Sequence, residues 1–327
     1  SPLLGVYQAV REINNKTDGV ADGLLPGHEL RLAFRDSKCD PASSLREALH
    51  LLDDAFEGAG VHAIVGAGCS GASAYASRVA ASAGTPLVSP TSSSPELSDG
   101  VDHPYFARVI PSDEFTAVAL VDLLRNLWNY TRVALVHATE SYGTGAANAF
   151  LESAFAAGLD VGTVLGFATE AEEFNSQLHT LSGTRLRVIV LLCQTNDAAR
   201  FLRQAYLAGV GGVGYLWLGG DAFASVATSS EWRGDAADTA LREAALRGAF
   251  AITPDAATSP RLAAFAARAA ALRPTTSGSG GCHLETDDDG NYLWAQDVDD
   301  NASTPLRCAG REPEAGNHTF DAFAYDA

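Results

Sequence analysis

The feature that most constrains this chain is the regular exchange of short apolar, strand-like runs with longer segments of helical composition. Strand-like runs stand at 29–34, 63–65, 87–89, 105–110, 132–137, 160–167, 187–192 and 215–218, and helical ones at 3–13, 43–55, 70–83, 115–128, 143–157, 173–181 and 197–208. A helix of ten or so residues between neighbouring strands is the connection that a parallel pair needs, so this alternation predicts parallel sheets flanked by helices. Ligands of such sheets bind beyond the carboxyl ends of the strands. The residues that follow each strand are therefore where chemistry is expected. At 327 residues and 46% hydrophobic, the chain is long enough for two domains of ordinary size, each with its own core, and it shows no internal repeat.

Residues 63–113 set hydroxyls, and then a carboxylate, at the ends of successive strands. The run Ala63-Ile64-Val65 passes through a tight turn at Gly66 and Gly68, and Ser70 opens the helix that follows. Free amides and the positive end of a helix dipole at that point favour an anion such as a carboxylate. The next strand runs into Pro90-Thr91-Ser92-Ser93-Ser94, and the one after it ends at Pro111-Ser112-Asp113. Hydroxyls for a carboxylate and an acid for an ammonium are what an α-amino acid requires. Other readings stand beside this one. Ser70 and Ser93 are also ordinary helix-capping residues, and Asp113 is placed to cap the helix at 115–128. Gly66-x-Gly68-x-x-Gly71 fits a dinucleotide fingerprint and hence a flavin- or nicotinamide-dependent oxidoreductase. That mechanism needs an acid about 20 residues on to hold a ribose, and here the next strand ends in Ser89-Pro90-Thr91.

A net charge of −18 argues against a nucleic-acid partner, since phosphate neutralisation takes Lys and Arg. No apolar run approaches the 18 or so residues that span a bilayer. The chain opens within one helical segment and stops within another, so a fragment of a larger protein is expected. The histidines show no HExxH or other metal spacing, and Gly68-Cys69-Ser70-Gly71-Ala72 is not a G-x-S-x-G elbow. His137, at a strand end, reads as a structural neighbour of the cleft. No catalytic residue, metal or cofactor is expected, and the chain does not read as an enzyme.

Several motifs in order now carry a resemblance: LRLAFRDSKCD (30–40), VGAGCSGAS (65–73), SSSPELSD (92–99), FARVIPSDEFTAVALVDLL (106–124), VALVHATESYGTGAANAF (133–150), LWLGGDAF (216–223), and the late pair Cys282 and Cys308. Over nearly its whole length the chain resembles the extracellular ligand-binding, or Venus flytrap, domain of class C G-protein-coupled receptors of the metabotropic glutamate and calcium-sensing type. These belong to the type I periplasmic-binding-protein-like (ANF receptor) set. The resemblance implies an α/β, two-lobed fold in which each lobe is a parallel sheet flanked by helices. Lobe 1 would comprise 1–111 and 255–327, and lobe 2 would comprise 112–254. It also implies ligand-binding roles. Ser70, Thr91 and Ser93 match the positions that hold an α-carboxylate, and Asp113, Tyr142 and Asp221 match those that surround an α-ammonium, with a cation–π contribution from the tyrosine. Tyr142 read alone is equally a packing residue, and Asp221, after two glycines, an ordinary loop acid.

The same resemblance implies a disulfide between Cys282 and Cys308 around an Asp- and Gly-rich insert, and a Cys39 left unpaired here because its family partner lies upstream. Cys69 and Cys193 receive no role. The sequons at Asn15, Asn129, Asn301 and Asn317 lean towards glycosylation and a place on the extracellular side of the plasma membrane. The family's basic side chains around a distal carboxylate fall by spacing on Pro2, Val226 and Ala315, so the expected ligand is a neutral, apolar or aromatic α-amino acid rather than glutamate. A short segment between Cys39 and Ser70, without the family's intersubunit cysteine, leaves a noncovalent homodimer through lobe 1. The membrane-embedded region of the same polypeptide is the other expected partner. The alternative functions are a transporter's solute-binding protein and the ligand domain of a receptor guanylate cyclase.

Overall fold

Alternate side chains along the strands sort the chain into layers. In a computed structural model describing residues 2–254 except 54 and 233, together with positions 260, 263, 264 and 267, the order is α1 (Pro2–Asn14), α2 (Pro41–Asp53), α3 (Ala55–Gly58), β1 (Ile64–Val65), α4 (Ser70–Ser82), β2 (Leu87–Ser89), β3 (Phe106–Arg108), α5 (Asp113–Asp122), β4 (Arg132–Ala138), α6 (Ser141–Ala156), β5 (Asp160–Phe167), α7 (Asn175–Thr184), β6 (Val188–Leu192), α8 (Thr195–Leu207), β7 (Leu216–Gly219), α9 (Asp221–Ala224), α10 (Ala236–Ala245) and β8 (Ala249–Ala251). Every strand pairing is parallel. One sheet has the order β1-β2-β3 and the other β5-β4-β6-β7-β8.

The larger sheet is buried on both faces, as a parallel sheet must be. Val133 and Leu135 of β4, with Val188, Val190 and Leu192 of β6, face α5 and α6, where Ala146, Ala147 and Ala149 allow close helix packing around Phe150. Ala134, Val136 and Ala138, with Ile189 and Leu191, face the other way against α7 and α8. There Phe174 and Phe201 lie 4.8 Å apart and Phe201 meets Trp217 edge-on at 5.9 Å. Consecutive strands leave β4 in opposite directions, to β5 on one side and to β6 on the other. That creates a topological switch point at the carboxyl ends of β4 and β6, the usual ligand crevice of open α/β sheets. The smaller sheet packs Ile64 and Leu87 against Ala48 of α2 and Ala76 and Ala80 of α4. The fold is thus the two-lobed, periplasmic-binding-protein-like α/β arrangement, one parallel sheet to each lobe.

Two expectations are corrected. Residues 29–34 form no strand, because Leu30 exchanges both backbone hydrogen bonds with the Asn14 side-chain amide, at 2.8 and 2.9 Å. Cys39 is not unpaired: it forms a disulfide with Cys69, with Cα atoms 5.3 Å apart. The physical reason is the packing of α2 beside α4. Cys39 lies just before the first of these helices and Cys69 caps the second, and Ser44 Oγ donates to Ala72 O at 2.8 Å between them. Closing a loop of 30 residues stabilises the fold by about 3.5 kcal/mol in the loop-entropy account. The expected Cys282–Cys308 bridge, Asn301, Asn317 and Ala315 lie outside the described residues, while Asn15 and Asn129 are both exposed.

Because Phe201 is fully buried and touches three other aromatic rings, Phe201→Ala should lower unfolding stability by about 3–5 kcal/mol. Phe155, 87% exposed at the end of α6, should tolerate the same change within about 0.5 kcal/mol. Urea denaturation of the two variants checks the contrast.

Candidate functional site

The turn after β1 is held by hydroxyls. Ser89, Ser73 and Ser92 all donate to Ala67 O, at 2.7, 2.9 and 3.1 Å, and Thr91 Oγ1 donates to Gly68 O at 2.7 Å. Ser70 is the first residue of α4, not its cap. Cys69 takes the cap position without a side-chain bond, and Ser70 Oγ accepts from Ser94 N at 3.2 Å. The serine loop 91–94 is thereby stitched to the start of α4, and Ser70, Ser92, Ser93 and Ser94 are all buried. From below, Arg108 of β3 anchors the same loop, donating to Ser92 O at 3.3 Å, to Ser94 O at 2.8 Å and to Ser98 Oγ.

Asp113 is the first residue of α5. The capping expectation belongs to its neighbour, since Ser112 Oγ is the group that accepts from Glu114 N. Asp113 N donates to Ser93 O at 2.9 Å, which ties the start of α5 to the serine loop. Its carboxyl is 4% exposed, and Oδ2 has no hydrogen-bond partner among the described residues. Burial above all, then the Asp221 carboxylate, pushes its pKa up to about 7, against the opposing pull of the Ser93 hydroxyl and Arg108.

The other side of the site comes from the larger sheet. Tyr142 lies in the first turn of α6 after β4, and its hydroxyl donates to Asp221 Oδ1 at 3.3 Å. Glu140 caps that turn, accepting from Tyr142 N at 2.5 Å and Gly143 N at 2.8 Å. Gly143 allows the helix to start this close to β4, since a Cβ there would stand 2.4 Å from Ala138 O. Burial raises the pKa of Asp221, of Glu140 and, far above its usual range, of the Tyr142 phenol. Asp113, Tyr142 and Gly220 line a small cavity with Thr116, Leu192 and Phe150, with room for about one water molecule.

Ser93, Asp113, Tyr142 and Asp221 are therefore brought together, with Ser70 and Thr91 in the network behind Ser93. Sequence reasoning missed Arg108, Glu140 and Thr116. Arg108 was legible as the one cation in FARVIPSD, and Glu140 as the acid that directly precedes the helix. Val226 is buried in the core beside Trp232, whose Nε1 donates to Val226 O at 2.8 Å. His137 Nδ1 lies 2.8 Å from Ala138 O. Among the described residues there is no cluster of His, Cys, Asp and Glu able to hold a metal ion, and no helix is long and apolar enough to cross a membrane.

A switch-point crevice faced by a hydroxyl-rich loop, the buried Asp113 and the partly buried Asp221 is the architecture of the two-lobed, periplasmic-binding-protein-like class. The family model described as "Receptor family ligand binding region" matches residues 2–325, and the chain belongs to that family. Its relatives include metabotropic glutamate receptor 6 of Oryctolagus cuniculus, 30% identical over 233 residues, covering 62% of this chain and 26% of the relative. Metabotropic glutamate receptor-like protein E of Dictyostelium discoideum is 32% identical over 167 residues, covering 48% and 20%. Metabotropic glutamate receptor 4 of Macaca fascicularis is 31% identical over 167 residues, covering 50% and 18%. The matched part of the chain thus spans about a quarter or less of the length of these curated relatives.

The raised Asp113 pKa has a signed consequence for stability. Folded Asp113 keeps its proton to about pH 7, whereas an unfolded aspartate releases it near 3.9. Between those values the folded state binds more protons, so this group makes stability fall as pH rises from about 4 to about 7. Asp113→Asn removes that slope. Urea unfolding at pH 5 and pH 8 should show the wild type losing more stability than the variant, by on the order of a few kcal/mol.

Proposed function

We propose that this chain is the amino-acid-sensing, extracellular ligand-binding domain of a class C G-protein-coupled receptor. The observation that carries the reading is the Asp113 carboxyl, buried with an unpartnered oxygen and pushed to about pH 7 beside Asp221. The buried Asp113 with the partly buried Asp221 beside it, and a tyrosine between the elements that hold them, are disposed to receive a cation, and an α-ammonium has the size and charge for it. The buried serine loop and the amides at the start of α4 suit the α-carboxylate of the same ligand. Ser70, Thr91 and Ser93 take that end, and Asp113, Tyr142 and Asp221 take the other.

The ligand binds between lobe 1 (1–111 and 255–327) and lobe 2 (112–254). It docks on the serine loop first, and the lobe carrying Tyr142 and Asp221 then closes on it. Closure signals because the ligand binds the closed state better than the open one. The cleft surround includes Phe150, Leu192 and Leu120, which supports a neutral or apolar side chain over an acidic one. The relatives named as metabotropic glutamate receptors support attachment to a membrane-embedded region of the same polypeptide, on the outer side of the plasma membrane. Exposed sequons at Asn15 and Asn129 agree with that location.

Calorimetric titration with the twenty α-amino acids tests the reading. A neutral amino acid should bind, Ser93→Ala should weaken it about tenfold, and Asp113→Asn should weaken it a hundredfold or more, in line with lost hydrogen bonds to charged groups. The ammonium pairs only with ionised Asp113. Affinity should therefore fall as pH drops below about 7, and at pH 6 binding should release close to one proton, while at pH 8.5 it releases almost none. Titrations in two buffers of different ionisation enthalpy measure that proton. Absence of binding by all twenty, from protein shown to be folded, would remove the amino-acid reading.

A further inference from the structure

We infer that Glu96 is a positioning residue acting across the cleft, seating the first turn of α6, and with it Tyr142, against the serine loop. The inference rests on the two-lobed ligand-binding reading above and adds to it a residue outside the ligand's contacts. Glu96 lies in the short 3-10 turn Pro95–Ser98 that continues the serine loop. Arg78 of α4 fixes its carboxylate from the same lobe, with Nη2 at 3.4 Å from Oε1 and at 3.2 Å from Asp102 Oδ2. Across the cleft, Ser141 Oγ donates to Glu96 Oε2 at 3.0 Å. Ser141 is the first residue of α6 and immediately precedes Tyr142, so the bond acts on the turn that presents the tyrosine.

A second contact, independent of charge, runs beside it. Ser94 Oγ donates to Ser141 O at 3.4 Å. A Cβ on Gly145 would stand 2.6 Å from Ser94 Oγ and 3.1 Å from Pro95 Cδ, and one on Gly71 would stand 3.7 Å from Ser141 Cβ. The two lobes thus meet at a glycine-sized gap. Glu96, Arg78 and Ser141 do not line the cavity at Asp113 and Tyr142, so their effect on a ligand must pass through the position of α6. With the Glu96 side chain 42% exposed, the contact is of the modest, salt-screened kind, equivalent to a two- to fivefold change in the closing equilibrium by the usual worth of such pairs (about 2- to 5-fold). Any loss of the closed population lowers apparent affinity by the same factor.

The test pairs two readouts. Energy transfer between dyes on Val101→Cys and Phe155→Cys, sites 88% and 87% exposed in the two lobes, reports the distance between lobes with no amino acid added. Calorimetry reports affinity for the best of the twenty amino acids. Glu96→Ala and Ser141→Ala should each shift the dyes apart and weaken binding about two- to fivefold, the double variant should do no more than either alone, and Glu96→Asp should restore part of the effect. Gly145→Val, which fills the gap, should weaken binding more than any of them while leaving thermal unfolding of the larger lobe unchanged. Unchanged dye distance and affinity in Glu96→Ala, or strictly additive effects of the two alanines, would overturn the inference. Dye distances that respond as stated in protein that binds no amino acid would uphold the Glu96 contact and sink the amino-acid reading instead.

Discussion

The repulsion between the buried carboxyl of Asp113 and the partly buried carboxylate of Asp221 is the interaction around which the rest of the site is arranged. Each sits at the carboxyl end of a strand of a different sheet, Asp113 after β3 and Asp221 after β7. Among the described residues neither acid is neutralised by a bidentate arginine. Arg108, the nearest base in effect, spends its donors on Ser92 O, Ser94 O and Ser98 Oγ. The result is a carboxyl held near pH 7, half committed to a proton, next to a second acid partly satisfied by the Tyr142 hydroxyl and the Ala222 amide. A pair of acids drawn partly out of water is unfavourable unless charge is neutralised, whether by a proton or by a cation. The site is therefore sensitive both to pH and to anything that brings a positive charge.

Parallel-sheet topology explains why such a pair arises at all. Every chemically distinctive residue follows a strand at its carboxyl end: Gly68 and Ser70 after β1, Thr91 and Ser93 after β2, Asp113 after β3, Tyr142 after β4, Asp221 after β7. All strands within each sheet run the same way, so these ends gather on one edge, and the switch between β4 and β6 leaves the gap that Tyr142 fills. The helices beginning there add amides and dipoles favourable to anions at α4. Glu140, by taking the free amides of Tyr142 and Gly143, removes that attraction from the start of α6. One helix start is thus left open to an anion while the other is closed, and this gives the cleft its polarity.

How much of this was legible in the sequence follows from which forces are local. β4 and β6 were readable because residues 133–136 and 188–192 are continuous apolar runs, as strands covered on both faces require. That Ser93, Asp113, Tyr142 and Asp221 lie near one another was readable because each follows a strand; their binding roles belong to the proposal. Residues 29–34 carry the composition of a strand, but strand identity requires a partner, and Asn14 satisfies Leu30 instead. The Cys39–Cys69 bond depends on α2 lying beside α4, a tertiary fact that no spacing of cysteines encodes. α10 and β8 went unread for a similar reason: Ala236–Ala245 has little apolar stripe beyond Leu241 and Ala245, and Ala249–Ala251 is a strand only through its pairing with β7. Glu140 was missed because glutamate is a poor cap by composition, and its role is set by how closely Gly143 lets α6 approach Ala138.

The placing of Glu96 follows from the same electrostatics. A contact between lobes is strongest in a dry place, yet a further acid beside Asp113 and Asp221 would deepen a repulsion that already raises the Asp113 pKa. At the exposed rim its charge is screened within about 8–10 Å at physiological salt, and Arg78 offsets it locally. On the proposed reading the interior acids respond to a ligand's ammonium without a competing field, while the rim acid adjusts how readily α6 comes across. On the same reading selectivity and closure are separated in space. On the amino-acid reading, a ligand without an amine would leave the buried Asp113 oxygen unpaired, whereas the hydroxyl-rich loop is neutral and already hydrogen-bonded within the protein. On that reading discrimination concentrates on the ammonium, and the balance between open and closed is left to contacts that never touch the ligand.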